Sequence, residues 1–208
     1  MTYSINKEKK YWTTYYKNHK QAFEPSLFSK SINQFLNAED SIIDLGCGNG
    51  RDAIFFADNK IYTHGIDMIS DEIQYLNNIY KNEQYLSFSS CDFNKLPNKN
   101  FTHAYSRFTL HSIPLEIEEI LFNWIKNNIK KYFFLEVRSD KDSLYNQKTD
   151  HYRRFPNFEK LLIKLIKKNF KIKYSEISKS FAPYNNDYDV AYNEKYPEII
   201  RIICTTND

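Results

Sequence analysis

Apolar side chains recur along this chain in short runs that end at polar residues. Runs of this length and pattern predict β-strands. Five of them come first, at residues 41–45, 61–67, 85–90, 102–108 and 132–137. Positions with helical spacing predict helices at 51–57, 114–127 and 156–168. Two later strands, at 170–177 and 198–205, have no evident helix between them, so we expect an α/β fold that closes with an antiparallel hairpin.

Three of the four glycines, Gly46, Gly48 and Gly50, follow the first predicted strand and precede the first of these helices. Glycine tolerates positive φ and lets another group approach the backbone closely. The unit of strand, glycine turn and helix therefore predicts a ligand at the turn. Its spacing is G-x-G-x-G followed by Arg51, whereas dinucleotide-binding loops have G-x-G-x-x-G. A turn that only connects a strand to a helix is the alternative.

The stretch Asp-Leu-Gly-Cys-Gly-Asn-Gly, residues 44–50, resembles the first motif of class I S-adenosyl-L-methionine (SAM) dependent methyltransferases. This resemblance implies a Rossmann-like, doubly wound, seven-stranded sheet that is mostly parallel with an antiparallel last strand. It implies SAM as the cofactor and S-adenosyl-L-homocysteine (SAH) as the product. Asp44 would help to hold the amino group of the cofactor. The backbone of the turn would pack against its methionine and ribose, through Gly46, Cys47, Gly48 and Gly50.

Two further acids end the next two predicted strands. Asp67 closes the second strand, where it is placed to accept hydrogen bonds from ribose hydroxyls, with Met68 near the adenine. The family has an Asp just after its third strand that takes the adenine amino group. Asp92 fits that position, with Phe93 as a ring neighbour. A loop acid, a turn residue or a helix cap is the alternative for these acids.

The stretch from residue 3 to 23 is polar but carries several aromatic side chains. Rings interleaved with lysines offer apolar faces and polar tips that can cover a ligand. In the family that this chain resembles, an N-terminal segment often closes over the cofactor. Residues 1–38 are therefore predicted to be a helical cover segment, with candidate contacts at Tyr11, Trp12, Tyr15 and Tyr16. Packing of an N-terminal helix on the core is the alternative.

Basic side chains follow the fourth and fifth predicted strands: Arg107, His111 and Arg138. Ligands of a doubly wound sheet bind outside the carboxyl ends of its strands, so these groups are expected at one mouth. His111 is a candidate general base, because an imidazole titrates near neutral pH. A structural histidine is the alternative. Arg107 is better explained as a clamp for an anion or a carboxylate.

A basic cluster precedes the helix predicted at 156–168. Guanidinium forks pair bidentately with phosphate oxygens, so the cluster is a candidate site for an anionic acceptor. A basic pair at a helix N-terminus also opposes the macrodipole, which favours a functional explanation over capping or solvation. The candidates are His151, Tyr152, Arg153 and Arg154, with Tyr184 and Tyr188 further along the chain.

The segment that carries these basic residues also resembles small bacterial methyltransferases of surface-polysaccharide modification, including those linked to capsular O-methyl phosphoramidate groups. That resemblance implies O-methylation of a small anionic acceptor in capsule biosynthesis. The chain lacks the Asp/Asn-Pro-Pro-aromatic motif with which many N-methyltransferases grip a planar amide or amine, which disfavours transfer to a base nitrogen. Methylation of RNA or protein, a SAM-binding module without catalysis and an NAD-binding oxidoreductase are the alternatives.

Composition narrows these expectations. A length of 208 residues fits one domain. The net charge of +3 gives no overall argument for nucleic acid as a partner. Three widely spaced cysteines favour neither a disulfide framework nor a zinc site, and a reducing compartment, the cytoplasm, is predicted. No run approaches the roughly 20 apolar residues of a membrane span. No metal is expected, and the sequence leaves the oligomeric state open.

Overall fold

The structure is a computed structural model that describes residues 2–19, 24–142, 149–179 and 197–206. Tyr184 and Tyr188 lie outside these residues. The strands are β1 (Ser41–Leu45), β2 (Tyr62–Asp67), β3 (Leu86–Ser90), β4 (His103–Arg107), β5 (Tyr132–Arg138), β6 (Lys171–Ser178) and β7 (Ile199–Thr205). The α-helices are α1 (Ile5–Asn18), α2 (Leu27–Ile32), α3 (Arg51–Asp58), α4 (Ser70–Ile79), α5 (Leu115–Asn128) and α6 (Phe158–Lys167). Short 3-10 helices cover Asn33–Phe35, Phe93–Lys95 and Leu110–Ser112.

All seven strands form one sheet in the order β3-β2-β1-β4-β5-β7-β6. The first five strands pair in parallel, and β7 runs antiparallel to both of its neighbours, β5 and β6. The predicted fold, a mostly parallel seven-stranded sheet with a reversed last strand, is confirmed. The chain order reverses between β1 and β4, and ligands of such sheets bind outside the carboxyl ends of the strands at this point.

Helices cover both faces of the sheet, so both faces are apolar. Successive side chains of a strand point to opposite faces. On β1, Ile42 packs in a cluster with Phe56 of α3, whereas Ile43 packs in a cluster with Leu121 of α5 and Leu165 of α6. This double burial explains why the strands were recognisable as continuous apolar runs.

Two predicted helix starts differ from the structure. Pro114 is the N-cap of α5, and the helix begins one residue later. Helix α6 begins at Phe158, not at residue 156, because Asn157 is its cap: the Asn157 side chain accepts a hydrogen bond from the Lys160 N–H. In the part of the chain that the structure describes, no helix is both long enough and apolar enough to cross a membrane.

Candidate active site

One cavity opens at the carboxyl ends of the parallel strands, beneath α1. It brings together most of the residues that the sequence singled out. Those lining it are Trp12, Tyr15, Tyr16, Asp44, Gly46, Cys47, Gly48, Asp67, Met68, Asp92, Phe93, Arg107, His111, Arg138 and Arg153. The predicted site residues that do not line it are Tyr11, Gly50, His151, Tyr152 and Arg154.

The glycine turn forms one wall of the cavity, and its three glycines all have a positive φ, so a side chain at any of them would strain the backbone. Gly46 has a φ of +84°, and a Cβ there would lie 2.4 Å from the Oγ1 atom of Thr109. Gly48 has a φ of +55°, and a Cβ there would lie 2.7 Å from the phenolic oxygen of Tyr16. The backbone of the turn is therefore in close contact with the loop that follows β4 on one side and with α1 on the other. Gly50, at a φ of +79°, is the N-cap of α3.

The three predicted acids lie at the ends of three neighbouring strands, at the same edge of the sheet. Asp67 accepts hydrogen bonds from the N–H groups of Gly48, at 3.1 Å, and Ile69, at 3.0 Å. Asp92 accepts a bond of 3.0 Å from the N–H of Asn94 and so caps the 3-10 helix that follows. The cap alternative therefore describes a real contact of Asp92, although the residue also lines the cavity.

Negative charge accumulates at this edge. Burial raises the pKa of Asp44 well above its usual value, the carboxylates of Asp52 and Asp67 raise it further, and only Arg107 opposes them. Burial also raises the pKa of Asp67, against the backbone N–H bonds that it accepts. Because like charges in a buried site disfavour ionisation, a cationic ligand group would relieve this edge.

Aromatic rings of α1 cover the acidic edge. Tyr16 stacks on Trp12 with ring centroids 5.9 Å apart, and both line the cavity. Burial and the nearby carboxylate of Asp67 raise the pKa of Tyr16 well above its usual value, so the phenol stays protonated. Tyr11 points elsewhere and stacks on His151, at 4.0 Å between centroids. Tyr11 therefore does not line the cavity, and its role as a cofactor contact stays a prediction.

Guanidinium groups line the same cavity. Arg107 donates from Nε to Glu136, at 2.8 Å, and lies over the Phe108 ring, 4.1 Å from its centroid. Glu136 is fully buried and also accepts a bond of 2.6 Å from Arg201 on β7. Arg138 lies 3.4 Å from the carboxylate of Asp142. These carboxylates hold the guanidinium groups at fixed positions in a largely buried site.

Arg153 reaches the same cavity from the segment before α6. Its Nε donates a hydrogen bond of 2.8 Å to Nε2 of His151. An accepting nitrogen requires a neutral imidazole. Burial, Arg153 and Arg138 lower the pKa of His151 to about 3, which agrees with that state. His151 thus holds the Arg153 side chain in place through this hydrogen bond, although His151 itself does not line the cavity.

His111 is buried between the rings of Phe108 and Phe155. Burial lowers its pKa well below the usual value, and the charges of Arg138, Arg153 and Arg107 lower it further. The imidazole is therefore neutral near pH 7. Its Nδ1 atom is buried and has no hydrogen-bond partner among the described residues, so it can bond to a ligand group. A strongly lowered pKa makes it a weak base.

Two further predictions about the basic cluster are corrected. Arg154 bonds to the Glu118 carboxylate and to the carbonyl oxygen of Leu110, which turns its guanidinium away from the cavity. Tyr152 packs its ring edge-on against Tyr3, with centroids 5.4 Å apart. Tertiary partners that are distant in the sequence therefore decide that only Arg153 of this cluster lines the cavity.

Several lining residues were not singled out from the sequence: Tyr3, Arg51, Asp52, Tyr105, Phe108 and Thr109. Asp52 accepts bonds from the Tyr105 hydroxyl, at 2.8 Å, and from the Ser26 N–H, also at 2.8 Å. No local pattern signals such a network, because its members are far apart in the chain. Phe108 has a φ of +57°, which is rare for a bulky residue and marks backbone strain at a ligand-facing position.

The fold and this cavity are those of a methyltransferase. A family model described as "Methyltransferase domain" matches residues 36–169, which is more than half of the chain. The chain belongs to this family, whose methyl donor is SAM, and the prediction of a SAM-dependent methyltransferase is confirmed. No curated protein sequence gives a significant match.

Solved structures show the same fold at low sequence identity. A SAM-dependent methyltransferase from Methanosarcina mazei is 15% identical, with 89% of this chain and 98% of that chain covered and a TM-score of 0.69. A 1,6-didemethyltoxoflavin-N1-methyltransferase from Burkholderia thailandensis, solved with its substrate and SAH, is 16% identical, with 87% and 77% covered and a TM-score of 0.65. A chain from the Haloferax volcanii complex between a methyltransferase and the Trm112 activator is 15% identical, with 99% and 98% covered and a TM-score of 0.72.

The residues at the acidic edge fit SAM by their chemistry. The cofactor carries an ammonium group and a sulfonium, and the mutual repulsion of Asp44, Asp52 and Asp67 would be relieved by such charges. Carboxylates at the ends of β2 and β3 suit ribose hydroxyls and the adenine amino group. Because its glycines have no side chains, the turn lets a ligand lie directly against the backbone. Residues that would hold the donor are therefore present in one cavity.

Proposed function

We propose that this chain transfers the methyl group of SAM to an oxygen atom of a small anionic acceptor that carries a phosphate or phosphoramidate group. One observation carries this proposal: three arginines, Arg107, Arg138 and Arg153, line the same cavity as the acidic edge. We call the acidic edge with its glycine turn and α1 rings the donor half, and the side with the three arginines the acceptor half.

The electrostatics of the acceptor half support an anion. The pKa of His111 is lowered by Arg138, Arg153 and Arg107 in addition to burial. An imidazole that is discouraged from protonation by three neighbouring cations reports a positive local potential. Planar guanidinium groups bind phosphate oxygens through two parallel hydrogen bonds, and they do so best where water is largely excluded.

Positioning accounts for most of the proposed mechanism. SAM supplies a methyl group on a sulfonium sulfur, which leaves as a neutral thioether. A phosphate or phosphoramidate oxygen is already anionic, so no base has to remove a proton from it. The arginines would hold this oxygen in line with the methyl carbon, which lowers the entropic part of the barrier. Nδ1 of His111 would accept a hydrogen bond from the acceptor, and with its low pKa it would orient the acceptor without deprotonating it.

The wider assignment also belongs to this proposal. The narrower resemblance supports O-methylation in capsule or other surface-polysaccharide biosynthesis. We propose that residues 1–208 form one methyltransferase domain, with residues 1–38 as the segment that covers the donor. The three cysteines, which are all free thiols, suit the reducing conditions of the cytoplasm.

Calorimetry with SAM and SAH, followed by assays of SAH formation with a panel of acceptors, tests the proposal. The panel contains nucleotide-linked phosphoramidate, sugar phosphates, neutral sugars, RNA and a protein extract. We expect SAM binding, and turnover only with phosphate- or phosphoramidate-bearing small molecules. Turnover with RNA, protein or neutral sugars alone would overturn the acceptor assignment. SAM binding without turnover on any acceptor would favour a binding module that has lost catalysis.

Two variants connect the assay to the cavity. Arg107→Ala is expected to lower turnover while SAM affinity is retained, whereas Lys160→Ala, on the exposed surface of α6, is the control and should change neither. If Arg107→Ala abolished SAM binding, the proposed division between donor and acceptor halves would be wrong.

A further inference from the structure

Helix α1 has one buried side chain among its 14 residues, and that side chain is a carboxylate, Glu8. Its Oε1 accepts a hydrogen bond of 2.9 Å from the N–H of Tyr152, which is 144 residues away in the chain. Its Oε2 is buried and has no hydrogen-bond partner among the described residues. Burying a carboxylate costs free energy. The stability of α1 alone therefore does not explain the buried position of Glu8.

The same helix holds the neighbouring residues of this segment by ring contacts. Tyr11 stacks on His151, at 4.0 Å, and Trp12 meets the His151 ring edge-on, at 5.2 Å. Just before the helix, Tyr3 packs edge-on against Tyr152, with centroids 5.4 Å apart. Helix α1, with Tyr3 just before it, therefore contacts residues 151 and 152 through aromatic rings and through the hydrogen bond of Glu8.

This segment leads directly to the acceptor half. Nε2 of His151 accepts the hydrogen bond of Arg153, and Arg153 lines the cavity. On the far side, the Arg154 N–H donates a bond of 2.8 Å to the carbonyl oxygen of His111. The position of Arg153 thus depends on α1 at one end and on the 3-10 helix of His111 at the other.

Glu8, Trp12 and Tyr16 are spaced by four residues, so they lie on the same face of α1, and the C-terminal part of this face meets the donor half. Trp12 and Tyr16 line the cavity there, and the phenolic oxygen of Tyr16 lies against Gly48. A displacement of α1 would therefore change the donor half and the acceptor half together, because one rigid helix contacts both.

We infer that Glu8 is a positioning residue that couples the two halves: it ties the segment 151–153 to α1, so that α1 closing over the donor sets Arg153 at its place in the acceptor half. The inference rests on the proposed function, since it assumes that the donor binds beneath α1. Glu8 itself touches neither ligand. Its effect is exerted through the backbone of Tyr152 and the His151–Arg153 hydrogen bond.

Hydrogen exchange with SAH as the probe tests this coupling and needs no knowledge of the acceptor. In the unaltered protein we expect SAH to slow exchange in the glycine turn, residues 44–52, and also in residues 153–155, in both places at least threefold. In Glu8→Ala and Glu8→Asp we expect the slowing at 44–52 to remain and the slowing at 153–155 to fall below 1.5-fold. The aspartate variant keeps the charge but is one methylene too short to reach Tyr152.

Two controls separate coupling from simple anchoring of the helix. Glu8→Gln keeps an oxygen that can accept the Tyr152 N–H bond and places its amide where Oε2 has no partner, so the slowing at 153–155 should be restored. Lys9→Ala changes an exposed position of the same helix and should behave like the unaltered protein. A purely structural role would alter exchange at 153–155 equally with and without SAH.

The outcomes of the two regions are distinguishable. If SAH slows exchange at 44–52 but not at 153–155 in the unaltered protein, the coupling is refuted while the proposed function stands. If Glu8→Ala or Glu8→Asp retains the full slowing at 153–155, Glu8 is not the link. If SAH slows exchange nowhere, the proposed donor site is wrong and the inference fails with it.

Discussion

The donor half and the acceptor half of the cavity differ in how they are charged and in how they are assembled. In the donor half, burial and neighbouring carboxylates raise the pKa of Asp44. In the acceptor half, burial and neighbouring guanidinium groups lower the pKa of His111. One cavity therefore carries both carboxylates and guanidinium groups. Such an arrangement suits two ligands of opposite charge that must meet in it.

Assembly follows the same division. In the donor half, Asp67 is held by backbone N–H groups, those of Gly48 in the glycine turn and of Ile69. In the acceptor half, each arginine is held by a side-chain partner: the distant Glu136 for Arg107, and the nearby Asp142 and His151 for Arg138 and Arg153. We therefore expect changes in the acceptor half to leave SAM binding intact. Changes in the donor half can reach the acceptor half through α1, which contacts both.

The largest expected effect tests the donor half by itself. Asp67→Ala removes a buried carboxylate that accepts two backbone hydrogen bonds and that we propose to bind the ribose of SAM. Hydrogen bonds to a charged group are worth about 1.5–3 kcal/mol, so SAM affinity should fall roughly 10- to 100-fold in calorimetry. The SAM affinity of Asp67→Asn should lie between those of the unaltered protein and Asp67→Ala. Unchanged affinity in Asp67→Ala would remove Asp67 from the donor half.

Arg153→Ala tests the acceptor half. It should lower kcat/KM with a phosphate-bearing acceptor by roughly 10- to 50-fold, the scale of one lost charged contact, while the Kd for SAM changes less than about threefold. The comparison variant is Arg154→Lys, whose side chain points away from the cavity toward Glu118 and which should keep turnover. Equal losses of kcat/KM in both variants would contradict the assignment of Arg153, and not Arg154, to the acceptor half.

Gly48→Ala tests the contact between the glycine turn and α1. The positive φ costs about 1–2 kcal/mol for a residue with a side chain, and the new methyl would meet the Tyr16 phenolic oxygen at 2.7 Å. The free energy of unfolding in urea should fall by about 1–3 kcal/mol, and SAM affinity should fall with it. Adding Tyr16→Phe removes the clashing oxygen and should recover part of the loss. No recovery would show that φ alone is responsible.

The smallest expected effect is a pH dependence that arises in the acceptor half. The pKa of His151 is about 3 in the fold and near 6.5 in an unfolded chain. The unfolded state binds the proton first, so stability is fully present above pH 6.5 and falls as the pH drops toward 3. Urea unfolding at pH 7.5 and 5 should differ by about 1–2 kcal/mol from this group.

His151→Gln is the matched control for this slope. Its side-chain oxygen can still accept the Arg153 bond, but it does not titrate, so the stability of the variant should depend less on pH between 7.5 and 5. An identical slope in both proteins would show that the imidazole is not held neutral by the arginines around it.

Much of this molecule was predictable because the relevant patterns are local. Six of the seven strands bury apolar side chains, the edge strand β6 being the exception, and Asp67 and Asp92 could be placed at one edge because parallel strands share the direction of their carboxyl ends. The choice between adjacent residues was not predictable. Arg153 and Arg154 are adjacent residues of the same type, and the sequence does not distinguish them. Glu118, on a different helix, turns Arg154 away from the cavity.

By itself, the sequence determined the sheet, the glycine turn and the row of acids, because each depends on residues that are neighbours in the chain. The tertiary structure alone decided which cations enter the cavity, that Phe108 is held at a positive φ, and that Glu8 of α1 meets Tyr152. Glu136 holds Arg107 across 29 residues of sequence and Glu118 turns Arg154 away across 36, and the energy of such a pair is set by distance and burial in the folded chain.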